Sequence, residues 1–496
     1  MKKNLLPLSA ALCALSLAAC STATPPAAAT TAKDLDFSKQ QASKKAMQVN
    51  GQTVAYRAYE HIVYVKNPVD TDYQSMNIYI PEAYFNGGSI NGYTAQTAPI
   101  FFPNQVGGYM PGKPGVPGQT GFGPPKQGNQ ADAMQMALAQ GYIVASPGAR
   151  GRTSPNGKAP AAIVDLKAAV RYLKANDKVM PGDAEKIFSN GTSAGGALSV
   201  LLGATGNSAD YEPYLKALGA ANASDAIFAV SAYCPISLLD HADAAYEWQF
   251  NGVNEYKKMD ISMLDYKVER KLVSGQLTPE QIQLSDALKL QFPAYVNSLA
   301  LKDSDGKPLT LDKQGNGSFK QYVASYLMKS AQDQLDAGKN LSDRNWLTLR
   351  NGKVSGVDFF KYAQAAGRMK TPPAFDALDL SAGENQLFGT SSTDKQHFTE
   401  FSQTHNTAAG ATRADQHIVD MMNPMGYIGT AAVPKNWRIR VGTADRDTSL
   451  AVASILTAKL RNSGKTVDFA TPWDVPHSGD YDLDELFAWM KQTAAR

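Results

Sequence analysis

Short apolar runs alternate with helix-like stretches through much of this 496-residue chain, and this alternation restricts the fold more than any other feature. Each run is long enough for a strand and too short for a helix. Strands are predicted at 99–102, 142–145, 186–189, 227–230, 437–441 and 467–470, and helices at 131–139, 161–175 and 194–202. Strands that alternate with helices predict a mainly parallel sheet covered on both faces. The predicted fold class is therefore α/β.

Two other regions depart from this alternation. Residues 52–85 alternate aromatic or β-branched with polar side chains, which predicts antiparallel strands that open the sheet. The regular alternation stops near Cys234 and resumes near Trp437, and helical patterns at 278–301, 319–337 and 357–366 lie between. We therefore expect a core of residues 34–234 and 435–496, with residues 235–434 as a large, mostly helical inserted lid domain. Such an insertion lies over the strand ends, where open α/β sheets bind ligands.

The N-terminus predicts export. Lys2 and Lys3 precede an apolar stretch over residues 5–18 that small residues close, so residues 1–19 are expected to be a signal peptide. The sequence Leu17-Ala18-Ala19-Cys20 resembles a bacterial lipobox, with Cys20 as the lipidated residue and 20–33 as a flexible tether. The alternative is an ordinary signal peptide with a chance cysteine. The expected location is the cell envelope, with a membrane anchor. Ser21 is compatible with the outer membrane, and the membrane and the face stay open.

Charge and cysteine content exclude several classes of function. Loss of Lys2 and Lys3 would leave 46 basic against 45 acidic residues, and this balance argues against a nucleic-acid partner. With the signal peptide removed and Cys20 lipidated, Cys234 would have no partner for a disulfide. Its apolar surroundings in the sequence predict a buried small side chain rather than a catalytic thiol. The sequence contains neither a Cys/His metal motif nor a phosphate-binding glycine loop, so no metal and no cofactor are expected.

A candidate nucleophile, Ser193, lies in Gly191-Thr192-Ser193-Ala194-Gly195, between a predicted strand and a predicted helix. A sharp strand-to-helix turn with small neighbours leaves such a serine hydroxyl exposed. The N–H of Ala194, at the helix start, can donate to a developing oxyanion. The alternative is a glycine-rich turn with an ordinary serine.

A serine nucleophile needs a histidine base and an orienting carboxylate. His477 follows the last predicted strand and Asp445 follows the strand before it, which gives the chain order serine, acid, histidine. Asp447 is the alternative acid. The second oxyanion donor is expected in the loop after an early strand. The N–H of Gly108 is preferred, and the N–H of the adjacent Gly107 is the alternative.

Taken together, these motifs resemble the bacterial tannases, which are α/β-hydrolases with a large inserted lid domain that cleave galloyl esters. The resemblance covers most of residues 99–477 and is carried by Gly107-Gly108, Ser146-Pro147-Gly148-Ala149-Arg150-Gly151-Arg152, Gly191-Thr192-Ser193-Ala194-Gly195-Gly196, Tyr233-Cys234-Pro235-Ile236, Ala245-Tyr246-Glu247-Trp248, Met422-Asn423-Pro424-Met425, Gly442-Thr443-Ala444-Asp445-Arg446-Asp447-Thr448 and His477-Ser478-Gly479.

The resemblance implies a binding site for the galloyl ring and a small phenolic ester as the substrate. In this family a lid lysine, a lid glutamate and the aspartate two positions after the triad acid hold the ring, which here match Lys370, Glu384 and Asp447. Three adjacent phenol hydroxyls can donate to two carboxylates and accept from an ammonium group. The alternatives are an esterase for other phenolic acids, such as feruloyl esters, a general carboxylesterase, or a non-catalytic envelope lipoprotein. The oligomeric state stays open.

Overall fold

A computed structural model of the chain describes residues 33–119, 130–264, 267–430 and 432–495. The predicted signal peptide, Cys20 and the tether up to residue 32 lie outside the described residues. The strands are β1 (Ser43–Val49), β2 (Gln52–Val63), β3 (Ser75–Pro81), β4 (Pro99–Pro103), β5 (Ile143–Pro147), β6 (Asp183–Thr192), β7 (Ala229–Tyr233), β8 (Glu255–Leu264), β9 (Lys267–Gln276), β10 (Leu347–Arg350), β11 (Lys353–Val357), β12 (Asn436–Arg440) and β13 (Thr466–Ala470).

One large sheet has the strand order β1-β2-β3-β5-β4-β6-β7-β12-β13. The pairings from β1 to β5 are antiparallel, and those from β5 through β4 to β13 are parallel. This confirms the predicted mainly parallel sheet and its antiparallel opening. Since parallel strands end at one edge, the loops after β4, β6, β7, β12 and β13 meet there.

The helices are α1 (Ala133–Ala139), α2 (Ala161–Ala175), α3 (Ala194–Ala204), α4 (Glu212–Leu218), α5 (Leu239–Phe250), α6 (Pro279–Ser298), α7 (Ser318–Asp336), α8 (Phe359–Ala366), α9 (Gly383–Leu387), α10 (Glu400–Thr404), α11 (Gln416–Met421), α12 (Leu450–Asn462) and α13 (Leu483–Ala494). The helices predicted from the sequence all form, with ends displaced by no more than a few residues. In the part of the chain that the structure describes, no helix has the length and apolar character needed to cross a membrane.

Apolar layers cover both faces of the sheet. Along β4, Ile100 and Phe102 belong to one buried cluster and Phe101 belongs to the other, because successive strand side chains point to opposite faces. Helices α2, α3 and α12 contribute to the first cluster, whereas α1 and α13 contribute to the second. The sheet is therefore buried between two helical layers, as an α/β architecture requires.

The segment between β7 and β12 adds elements to this core. It contains the helices α5 to α11 and two hairpins, β8–β9 and β10–β11. The hairpins were not expected in a mostly helical insertion. Trp248 of α5 and Phe319 of α7 belong to the same buried cluster as Trp437 of β12, and residues 33–496 form one compact unit. The boundaries of the lid domain stay a prediction.

Candidate active site

Ser193 lies at the sharp turn between β6 and α3. Its backbone has φ 59° and ψ −123°. L-residues adopt this strained conformation at a cost of about 1–3 kcal/mol, and in folded proteins such residues cluster at functional sites. The Ser193 N–H donates to the carbonyl of Tyr233 at 3.0 Å, which fixes the turn against the end of β7. Ser193 itself is partly exposed while Ala194 is buried. The serine hydroxyl is thus presented at the edge where the parallel strands end.

Close packing around the turn explains its small residues. A Cβ on Gly191 would lie 2.3 Å from the carbonyl oxygen of Gly195, so a larger residue does not fit there. The side chain of Asn104, in the loop after β4, donates to Gly195 O at 3.0 Å and to Ser199 Oγ at 3.1 Å. Asn104, for which no sequence motif predicts a role, thus joins the loop after β4 to the serine turn.

The loops after β12 and β13 bring Asp445 and His477 together. The Thr443 N–H donates to Pro472 O at 2.9 Å, and a Cβ on Gly442 would lie 1.9 Å from Val475 O. On its other side, the loop after β13 packs against the serine turn, since a Cβ on Gly479 would lie 1.8 Å from Thr192 Oγ1. Three loops that are far apart in sequence therefore meet around Ser193.

His477 Nδ1 lies 2.9 Å from Asp445 Oδ2 and 4.0 Å from Asp447 Oδ2. The side chain of Asp445 is fully buried, whereas that of Asp447 is 22% exposed. The Asp447 N–H in turn donates to Asp445 Oδ1 at 2.9 Å. The structure therefore places Asp445 at hydrogen-bonding distance from His477, with Asp447 beside it.

The charge of the Asp445 carboxylate controls the protonation of His477. Burial disfavours the imidazolium ion, but the attraction of the Asp445 carboxylate at Nδ1 outweighs it, so the pKa of His477 is raised well above its ordinary value. Burial raises the pKa of Cys234, so its thiol stays protonated at neutral pH. Asp445 is then the charged partner that holds His477 in position.

Cys234 lies closer to the site than the sequence indicated. It follows β7 directly, is 1% exposed, and places Sγ 3.9 Å from His477 Nε2 and 3.4 Å from Ser478 O. Cys234, Asp445 and His477 are the one group of His, Cys, Asp or Glu in the described residues whose donor atoms lie close enough for a metal, within 4.8 Å. Within this group, His477 Nδ1 is already hydrogen-bonded to Asp445. A histidine paired with a carboxylate in this way is suited to transfer protons through its other nitrogen.

The loop after β4 holds Gly108 in a left-handed conformation, with φ +54°. The Met110 N–H donates to Gly107 O at 2.9 Å, which fixes the peptide between Gly107 and Gly108. Because the C=O and N–H of a trans peptide point in opposite directions, the Gly108 N–H points away from Met110. Arg152 Nε donates to Gly108 O at 2.8 Å. The amide of Ala194, the first of α3, has no partner within its own helix. Both predicted oxyanion donors are thus held in fixed backbone.

The predicted ring-binding side chains Lys370, Glu384 and Asp447 are each partly buried. Lys370 Nζ lies 3.9 Å from the centre of the Phe375 ring. Glu384 is the second residue of α9, which contacts Arg152, since a Cβ on Gly383 would lie 2.9 Å from Arg152 Cζ. Because Arg152 also bonds Gly108 O, it links the helix of Glu384 to the candidate oxyanion loop.

Comparisons with known proteins find one matching family model and several similar solved structures. The family model BD-FAE matches residues 122–278, and a search of curated proteins finds no match. The crystal structure of Fusobacterium nucleatum tannase is 53% identical, covers 93% of this chain and 99% of that chain, and has a TM-score of 0.88. A Lactobacillus plantarum tannase structure is 46% identical over 93% of this chain and 100% of that chain, with a TM-score of 0.88.

A tannin acyl hydrolase solved in complex with ethyl gallate is 46% identical, covers 93% of this chain and 99% of that chain, and has a TM-score of 0.86. The expected fold and the expected family are thereby confirmed. The match spans nearly the whole of these relatives, so it includes both the sheet and the segment between β7 and β12. The chain therefore belongs to the tannase family, and it is an ester hydrolase of the α/β-hydrolase fold.

Proposed function

We propose that this protein hydrolyses galloyl esters through an acyl-enzyme on Ser193, with His477 as base and then acid and with Asp445 as its orienting carboxylate. The observation that carries the proposal is the 2.9 Å contact of His477 Nδ1 with the buried Asp445 carboxylate, beside the strained turn of Ser193. A weak alcohol nucleophile is activated by such a base.

The reaction proceeds in two halves. His477 Nε2 takes the proton of Ser193 Oγ as the oxygen attacks the ester carbonyl, and the N–H groups of Ala194 and Gly108 stabilise the oxyanion. Collapse breaks the bond to the alcohol, which leaves with the proton from His477. Water then attacks the galloyl–Ser193 ester, gives its proton to His477, and the acid leaves as Ser193 regains a proton.

We assign the ring site to Lys370, Glu384 and Asp447. Related structures contain ethyl gallate and 3,4-dihydroxybenzoate, and both carry adjacent phenol hydroxyls. Two carboxylates and one ammonium group match the donors and acceptors of such a ring. A site that binds hydroxyls discriminates strongly against analogues that lack them, because its own buried polar groups are then left unpaired.

Product release from matched methyl esters tests this function. The protein is incubated with methyl gallate, methyl ferulate and methyl benzoate, and the free acids are quantified by liquid chromatography. We expect gallate release to exceed the others by orders of magnitude. Preferential release of ferulate would assign another phenolic ester, and no release together with no labelling of Ser193 by a fluorophosphonate probe would assign a non-catalytic binding protein.

We further propose that Cys20 carries a lipid anchor that holds the enzyme in the bacterial cell envelope. The support is the sequence Leu17-Ala18-Ala19-Cys20. Mass spectrometry of the mature N-terminus in the native host should find acylated Cys20, and Cys20→Ala should move the protein from the membrane to the soluble fraction. An unmodified N-terminus at another residue would contradict the anchor.

A further inference from the structure

One face of α5 contacts the segment 368–376, which carries Lys370. Asp243, Tyr246 and Glu247 are spaced i, i+3 and i+4, so they lie on the same side of the helix. All three are buried, with exposures of 3%, 0% and 0%. A polar helix face buried in this way requires partners for each of its groups, and the segment 368–376 supplies them.

The two ends of the segment are held by carboxyl groups of α5. Glu247 and Arg368, both fully buried, form a bidentate ion pair with N–O distances of 2.8 and 2.5 Å. Asp243 accepts from the N–H groups of Phe375 at 2.7 Å and Asp376 at 3.1 Å. The backbone on either side of Lys370 is therefore fixed to α5.

The hydroxyl of Tyr246 lies between these two anchors. It accepts from the N–H groups of Met369 at 3.0 Å and Lys370 at 3.1 Å, and it donates to Arg446 O at 2.9 Å. A phenol has one proton and two lone pairs, so this arrangement uses its full capacity. Burial raises the pKa of Tyr246, which keeps that proton on the oxygen.

Arg446 is the residue between Asp445 and Asp447. One hydroxyl thus joins the backbone of Lys370 to the loop that carries the orienting carboxylate and the second ring-binding carboxylate. The Tyr246 ring also packs edge-on against Phe375, with centroids 6.3 Å apart, and Lys370 Nζ lies 3.9 Å above that same Phe375 ring. Tyr246 therefore bonds the backbone of Lys370 and packs against the ring that lies beneath its ammonium group.

We propose that Tyr246 is a positioning residue that sets the spacing between Lys370 and the Asp445–Asp447 loop, and thereby the selectivity for polyhydroxylated rings. The inference rests on the proposed function, because it takes Lys370 and Asp447 as ring ligands. Without the hydroxyl, two amides and a carbonyl lose their partner and the loop and segment separate. A shift of about 1 Å in a substrate clamp can lower the rate by up to about 10²-fold.

Tyr246→Phe tests this proposal, with Tyr211→Phe as a matched control. Tyr211 is also fully buried and also donates to a carbonyl between β7 and β12, that of Met421 at 2.5 Å, outside the segment 368–376. We expect Tyr246→Phe to lower kcat/KM for methyl gallate by roughly tenfold or more, mainly through KM. Its activity on p-nitrophenyl acetate, which has no phenolic acid ring, should fall by a much smaller factor, because Asp445 keeps its contacts with His477 Nδ1 and with the Asp447 N–H.

The ratio of the two activities decides the outcome. Equal losses on both substrates, no loss on methyl gallate, or the same selective loss in Tyr211→Phe would overturn the positioning role. If Tyr246→Phe does not fold, the same two activities are measured for Phe375→Leu. This variant removes the ring beneath Lys370 and should also lose activity selectively on methyl gallate. If the wild-type enzyme cleaves p-nitrophenyl acetate but not methyl gallate, the proposed function is wrong, and the role of Tyr246 that rests on it is wrong as well.

Discussion

The thiol sulfur of Cys234 lies 3.9 Å from Nε2 of His477, the nitrogen that accepts the proton of Ser193 in the proposed reaction. In that reaction Cys234 and Ser193 would share one base. Burial raises the pKa of Cys234, and the uncharged thiol is a poor nucleophile. We expect Cys234 to fill space beside the imidazole, and Ser193 to be the group that is acylated.

Cys234→Ala tests this division of roles. The variant should keep kcat for methyl gallate within about tenfold, because no reacting atom is lost. The smaller side chain leaves a cavity in a buried site, so the free energy of unfolding should fall by about 1–2 kcal/mol. Steady-state kinetics and urea unfolding measure the two effects. A loss of activity of a thousandfold in a folded variant would assign the thiol a direct chemical role.

Asp445→Asn and Asp447→Asn should differ in kind. Only Asp445 lies at hydrogen-bonding distance from His477 Nδ1, so Asp445→Asn should lower kcat by about 10⁴-fold on every ester. Asp447→Asn should affect methyl gallate much more than p-nitrophenyl acetate. The two substrates are compared for each variant, and the reverse pattern would make Asp447 the orienting acid.

The pH dependence of kcat/KM should report His477. Only neutral imidazole accepts the proton of Ser193, so activity rises as pH increases through the pKa of His477. Since Asp445 raises this pKa well above its ordinary value, the ascending limb of the profile for p-nitrophenyl acetate should lie above pH 6.5. In Asp445→Asn the residual activity should have its ascending limb at lower pH. A wild-type limb below pH 6 would contradict the raised pKa.

Lys370→Met and Glu384→Gln should lower kcat/KM for methyl gallate by roughly 10²-fold, with a small effect on p-nitrophenyl acetate, because each leaves a phenol hydroxyl without its charged partner. Lys329→Met is the control, since Lys329 is an exposed lysine paired with Asp333. Equal losses on both substrates would place Lys370 and Glu384 outside the ring site.

The order of strands and helices was predictable because each element has a local pattern. The parallel strands alternate with amphipathic helices, and the turn at Ser193 has a strand before it and a helix after it. The preference for Asp445 over Asp447 also came from local position, directly after a late strand. The roles of Ser193, Asp445 and His477 stay predictions that the geometry supports.

Other features depend on contacts between distant parts of the chain. The contact of Cys234 with His477 joins residues 243 positions apart, because β7, β12 and β13 are neighbours in the sheet. The hydroxyl of Tyr246 bonds Arg446, 200 positions away, and nothing in the helical pattern of α5 indicates this partner. The hairpin β8–β9 was not predicted, because charged residues are frequent in both strands and interrupt the apolar pattern.

Turnover of methyl gallate by Ser193→Ala tests the central claim most directly. The alanine keeps the small, partly exposed character of the turn, so the variant should fold with unchanged stability. Gallate release should fall by a factor on the order of 10⁵, because the attacking oxygen is gone. If folded Ser193→Ala retains turnover within tenfold of the wild type, Ser193 is not the nucleophile and the acyl-enzyme account is wrong.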